Sequence, residues 1–226
     1  MTFVIPWCST GTSCRQAGVE LQPISQWGQP QADSIRTTDS AKSQKKERMY
    51  KVVVIGDIGV GRTNIVKRYV HKCYSPNTRA TSDFALKVLN WNESTLIRLQ
   101  LWEIAINGLY GNMTKLYFKN AVGAFVVFDV TQESTLSVAE EWKNHLDSEV
   151  TLLCGKAIPC VLLANKCDVD QPHKHFVHDE QQMDEYCREK GYVDWFKTSA
   201  KENINIDEAA KRLLTKIMEN DDLMKG

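Results

Sequence analysis

The sequence predicts an α/β sandwich with a mainly parallel sheet and sites at the carboxyl ends of its strands. Three observations carry this. The apolar runs Tyr50–Ile55, Gly123–Asp129 and Cys160–Asn165 are short and bounded by polar residues, as buried strands are. Amphipathic helical stretches follow, at about Thr135–Leu146, Asp179–Lys190 and Ile206–Glu219. The first run passes through a glycine-rich turn into a helical stretch from Thr63 to about His71.

Between these, Phe84–Asn90 and Leu96–Glu103 flank the turn-like Trp91-Asn92-Glu93-Ser94. The second alternates Ile97, Leu99 and Leu101 against Arg98, Gln100 and Trp102, as a hairpin strand does. A further short strand is expected at Trp195–Thr198.

At 226 residues, the chain accommodates one sizeable domain, or a domain plus an unstructured arm. Residues 1–48 read as the arm: three of six prolines, scattered Ser, Thr and Gln, no apolar periodicity. Such a segment buries too little surface to offset its ordering entropy. Its basic end (Lys42, Lys45, Lys46, Arg48) reads as a solvated tail, with a polybasic contact as the alternative. The formal net charge is zero, so nothing points to nucleic acid. A mean hydropathy of −0.36 and the lack of a long apolar run exclude a spanning helix. The opening residues lack a basic region and carry Pro6, against a signal peptide. Seven cysteines, odd in number and without a CxxC pair, fit free thiols in a reducing, cytoplasmic setting.

Gly56-Asp57-Ile58-Gly59-Val60-Gly61-Arg62-Thr63 lies between strand and helix, where a phosphate loop belongs. Its glycines let successive N–H groups curl round phosphates, and the helix N-terminus adds a positive dipole end. The candidate nucleotide contacts run from Ile58 through Gly59, Val60, Gly61, Arg62 and Thr63 to Asn64, with the Thr63 hydroxyl as an Mg²⁺ ligand. Arg62 stands where the pattern has Lys. Its planar fork keeps the charge but is bulkier than an ammonium, which predicts weaker binding. A glycine-rich turn without a ligand is the alternative for the loop taken alone.

Asn165-Lys166-Cys167-Asp168 ends one strand, and Ser199-Ala200-Lys201 follows another. The Asp168 carboxylate suits the N1 and N2 donors of guanine. Adenine offers neither and would leave a buried carboxylate unpaired. Asn165 is expected to tie this loop to the phosphate loop, the Lys166 stem to cover the ring, and the Ala200 N–H to meet O6. Together these motifs point to GTP and GDP with Mg²⁺.

With those residues in place, the chain resembles the Rab branch of the Ras-like small GTPases over roughly residues 49–220. The stretches Asp83–Leu89, Arg98–Trp102 and Leu162–Asp168 look closest to a subgroup serving lysosome-related organelles, melanosomes and the trans-Golgi network. The resemblance implies a P-loop NTPase fold with a six-stranded, mostly parallel sheet and five helices. It also implies a nucleotide switch in vesicle traffic, with effectors and exchange factors as partners.

The sequence departs from that family near the γ-phosphate. Ala80-Thr81-Ser82-Asp83-Phe84 is two residues shorter than the family's first switch. The loss removes up to about 7 Å of reach for Thr81, the expected second metal ligand. Trp102-Glu103-Ile104-Ala105-Ile106-Asn107-Gly108 replaces WDIAGQE. Glu103 keeps a carboxylate for metal-bound water, Ile106 replaces a glycine, and Asn107 replaces the water-orienting glutamine. Positioning dominates phosphoryl transfer, so slow hydrolysis is expected. The last residues, Asp221–Gly226, contain no cysteine for prenylation, so membrane contact at Golgi, endosomal or lysosome-related surfaces is expected only through partners.

Other patterns are weaker. His173, His175 and His178 suggest a solvated loop more than a metal site. Asn92 and Asn112 open glycosylation sequons that matter only outside the cytosol. Phe84, Trp102 and Tyr117 read either as core or as an effector-facing aromatic patch. Two rival functions stay open: a pseudo-GTPase interaction module, and a divergent gene copy under weak constraint.

Overall fold

The computed structural model describes residues 45–78, 84–104, 112–169 and 179–223 and, for residues 112 and 113, the backbone alone. The strands are β1 (Lys46–Gly56), β2 (Phe84–Asn90), β3 (Thr95–Glu103), β4 (Gly123–Asp129), β5 (Cys160–Asn165) and β6 (Asp194–Lys197). The helices among these residues are α1 (Arg62–His71), α2 (Asn112–Phe118), α3 (Ser134–Glu149), α4 (Glu180–Glu189) and α5 (Ile206–Leu223). One sheet runs in the order β2-β3-β1-β4-β5-β6. Only β2 is antiparallel to its neighbour.

Crossover helices on both faces explain why the central strands are apolar throughout. Val52 and Val54 of β1 pack with α1 and α5, whereas Val53 and Ile55 pack with α3 and α4. At the sheet edge the pattern changes. In β3, Ile97, Leu99 and Leu101 are buried, and Arg98, Gln100 and Trp102 take the half-exposed face. The hairpin turns where Asn92 Oδ1 accepts the Ser94 N–H at 3.0 Å, a short side chain standing in for a backbone acceptor.

β1 starts at Lys46, four residues before the expected strand. Lys46 pairs with Thr95 and Arg48 with Ile97. No apolar periodicity marks residues 46–49, because ladder pairing and charge hold them. Arg48 bridges Asp221 at 3.2 Å and Asp222 at 2.7 Å, and the Tyr50 hydroxyl donates to Asp221 at 3.0 Å. Those carboxylates sit at the negative end of α5, where an arginine offsets an unfavourable dipole contact.

α2 was not foreseen from the sequence, and α3 and α5 run three and four residues beyond their expected ends. The other boundaries fall within a few residues of the expected ones. Asp179 caps α4 by accepting the N–H groups of Gln181 and Gln182 at 3.0 and 3.2 Å. Among the described residues no helix is long and apolar enough to cross a membrane.

Candidate nucleotide site

The loop between β1 and α1 depends on two glycines. Gly56 has φ +140°, and a Cβ there would lie 2.1 Å from the Val127 carbonyl oxygen. Gly61 caps α1 at φ +101°, and a Cβ would lie 2.4 Å from Asn165 Nδ2. That approach has a purpose. Asn165 Nδ2 donates to the Val60 carbonyl at 2.7 Å, and its Oδ1 accepts the Ala200 N–H at 3.3 Å. One buried amide at the end of β5 thus joins the glycine-rich loop before α1 to the loop after β6. Val60 is anchored in the core, while Ile58 is 65% exposed at the loop tip and Gly59 has open space around it.

Asp168, its side chain only 10% exposed, lines a cleft of about 140 Å³ with Lys166, Ala200 and Lys201. Lys201 Nζ stands 3.9 Å from the Asp168 carboxylate. Ser199 Oγ accepts the Glu202 N–H at 2.9 Å and turns the loop after Ala200. Lys166 has φ +66°, and its Nζ pairs with Asp129 at 2.5 Å. Asp129 also accepts the Thr131 N–H and hydroxyl at 2.9 and 2.7 Å. It closes β4, and sequence reasoning overlooked it; an acidic residue ending an apolar strand was the available signal.

A wider cleft of about 320 Å³ adjoins the first and shares Gly61, Asn64, Tyr74 and Lys166 with it. Tyr74, also overlooked, is an aromatic wall common to both. Asn64 Oδ1 holds the segment after Tyr74 by accepting the Ser75 N–H at 3.3 Å and the Thr78 hydroxyl at 3.1 Å.

Arg62 and Thr63 line the wider cleft, but their polar atoms turn to the end of β3. The Arg62 guanidinium, 4% exposed, donates from Nη1 to the Ile104 carbonyl, and the Thr63 hydroxyl donates to Glu103. Burial draws the Arg62 pKa below its usual value, with Glu103 and Asp57 pulling it back up. Thr63 and Glu103 are hard oxygen donors side by side, the chemistry that Mg²⁺ takes, so the residues present fit that ion. Thr81, Ile106 and Asn107 lie outside the described residues, as do His173, His175 and His178.

The aromatic triad forms. The Phe84 and Trp102 rings lie 5.2 Å apart, the Trp102 and Tyr117 rings 6.4 Å, and Phe84 is 45% exposed. Among the described residues all five cysteines are free thiols, with Cys160 and Cys187 buried.

A sequence profile of the Ras family matches residues 51–219. The chain is 54% identical to human "Ras-related protein Rab-32" over 179 residues, 78% of each chain. It is 49% identical to Rab-32A of Dictyostelium discoideum over 178 residues, 77% of this chain and 80% of that one. With human Rab-7L1 it shares 42% over 177 residues, 77% of this chain and 85% of the relative. A match spanning most of the domain, on a six-stranded sheet whose loops assemble these motifs in one cleft, places the chain in the Ras family of small GTPases as a Rab-like member.

Proposed function

We propose that this chain binds GDP and GTP with Mg²⁺, acts in membrane traffic and hydrolyses GTP poorly. The observation that carries the nucleotide reading is Asn165, which holds the phosphate loop and the Ala200 loop together beside Asp168. Asp168 would take the two guanine donors, the Ala200 N–H would face O6, and Tyr74 would wall the ring. Thr63 and Glu103 would hold the metal, which neutralises phosphate charge when bound. Arg62 supports the slow-hydrolysis reading. A phosphate-loop cation helps only where it meets phosphate oxygens, and Nη1 of this one donates to the Ile104 carbonyl instead. Asn107 and Ile106 in place of the family's glutamine and glycine point the same way.

The Rab-like domain in this reading runs from β1 at Lys46 to the end of α5 at Leu223, wider at both ends than the expected 49–220, with the residues before it as an appended arm. The resemblance to Rab-32 and Rab-7L1 supports service near lysosome-related or Golgi membranes. Effectors and exchange factors would meet the face bearing Phe84, Trp102 and Tyr117.

A second reading, an interaction module without a nucleotide cycle, is favoured by the same Arg62 contact. Calorimetry separates the two. Preferential binding of GDP over ADP with Mg²⁺ supports the nucleotide reading; a folded chain that binds neither overturns it. Single-turnover GTP hydrolysis as fast as in an ordinary Rab would overturn the slow-hydrolysis claim.

A further inference from the structure

Arg68, one turn beyond the phosphate loop on α1, sends its guanidinium away from the phosphates and into the base-reading end of the site. Nε donates to the Ala200 carbonyl at 2.7 Å and Nη2 to the Lys201 carbonyl at 2.8 Å. Nη1 donates to the Lys72 carbonyl at 3.1 Å, while the Lys72 N–H returns to the Arg68 carbonyl at 3.0 Å. Closing the end of α1 would need only the Lys72 contact, as basic side chains near helix ends often do. The other two donors fix consecutive carbonyls of the loop that lines the base cleft with Ala200 and Lys201; on the inner side the Ala200 N–H donates to Asn165 Oδ1 at 3.3 Å. A planar fork suits this task, because two carbonyls held together fix the loop's rotation as well as its distance.

Arg68 braces only one of the two halves of base recognition, although the halves share Asn165 and the bond from Cys167 to Thr198. Asp168 stands on the loop after β5, held by the Cys167 N–H to the Thr198 carbonyl at 3.1 Å and the Val169 N–H to the Lys166 carbonyl at 3.1 Å. None of those bonds involves Arg68. The loop after β6 has Asn165 on its inner side and Arg68 on its outer side.

We infer that Arg68 is a positioning residue for purine selectivity: without touching the ligand, it holds the Ala200 loop where an N–H only 3.3 Å from Asn165 Oδ1 can be shared with the 6-oxo group of a bound base. This rests on the guanine-binding reading above and adds to it the residue that sets one of the two discriminating contacts.

The test uses the full chain with Mg²⁺ and three ligands: GDP, inosine diphosphate, which lacks the 2-amino group, and 6-thioguanosine diphosphate, whose sulfur is a poor acceptor. Losing one aimed hydrogen bond in Arg68→Met should cut the preference for GDP over the thio analogue by about fivefold. The preference over inosine diphosphate, read by Asp168, should stay within about twofold. Arg68→Lys, which keeps one donor, should fall between wild type and Met in the thio ratio alone, and it decides the matter if the Met variant does not fold. Unchanged ratios in a folded variant, or an equal fall in both, would overturn the positioning role while leaving guanine recognition intact. A wild-type chain indifferent to all three ligands would remove the guanine reading and this inference with it.

Discussion

The base end and the phosphate end of the cleft are built differently. In the proposed reading the discriminating atoms at the base end are a carboxylate and a backbone N–H, on loops that Asn165 bonds from inside and Arg68 from outside. At the phosphate end the expected work falls on single side chains, and two of them, Arg62 and Thr63, are bonded to the end of β3. Recognition built on fixed backbone survives substitution nearby. Catalysis built on the reach of one side chain does not, because one added methylene or a broader head group re-aims it.

The largest effect should come from the base end. Asp168→Ala removes two charge-assisted hydrogen bonds and should weaken GDP by about 3 kcal/mol, roughly a hundredfold, with little change in ADP. Calorimetry with both ligands measures this, and an equal loss for ADP would break the contrast between the two ends.

Gly61→Ala strikes the joint between them. The left-handed backbone and the clash with Asn165 Nδ2 should cost about 2 kcal/mol of folding stability, visible as a lower Tm without nucleotide. Retained stability would mean that the loop re-forms without this tie.

Arg62→Lys sharpens the comparison. A compact ammonium frees the Ile104 carbonyl and can reach phosphate oxygens, so GTP affinity should rise about tenfold, near 1.4 kcal/mol. A fall in affinity in a competition assay would show that Arg62 already serves the phosphates.

The smallest effect concerns the buried thiols. Burial pushes the pKa values of Cys160 and Cys187 up to about 12. In the unfolded chain they ionise near 9, so the stability from keeping them neutral is complete below that pH and is lost progressively from about 9 to 12. At pH 8 an alkylating reagent should label the exposed Cys73 and Cys154 in the folded chain and spare the buried pair. Rapid labelling of Cys187 would show that α4 opens readily.

Much of the fold was legible because burial on both faces leaves its mark as unbroken apolar runs: β4 and β5 have the expected limits. The start of β1 was not legible, since Lys46–Met49 are held by ladder bonds to β3 and by Arg48 on Asp221 and Asp222, partners far away in sequence. The site divides the same way. Spacing exposed the glycines and Asn165 and offered Asp168 and Ala200 as candidates, because backbone geometry and base chemistry restrict such positions to few residue types. Tyr74 and Arg68 carried no local pattern, and Asp129 only that of an acidic residue closing an apolar strand, because what each does depends on which loop lies against it.

By itself, then, the sequence determined the order of the strands and of the helices other than α2, and the glycine turn before α1, all properties of short segments. Only the tertiary structure decided where long side chains end. Arg62 lies two residues from Asn64 and six from Arg68, yet the packing of β3 sends it to Ile104, while the loop after β6 draws Arg68 to Ala200. A flexible charged side chain has many rotamers of similar energy. The acceptor brought within reach by distant chain selects among them.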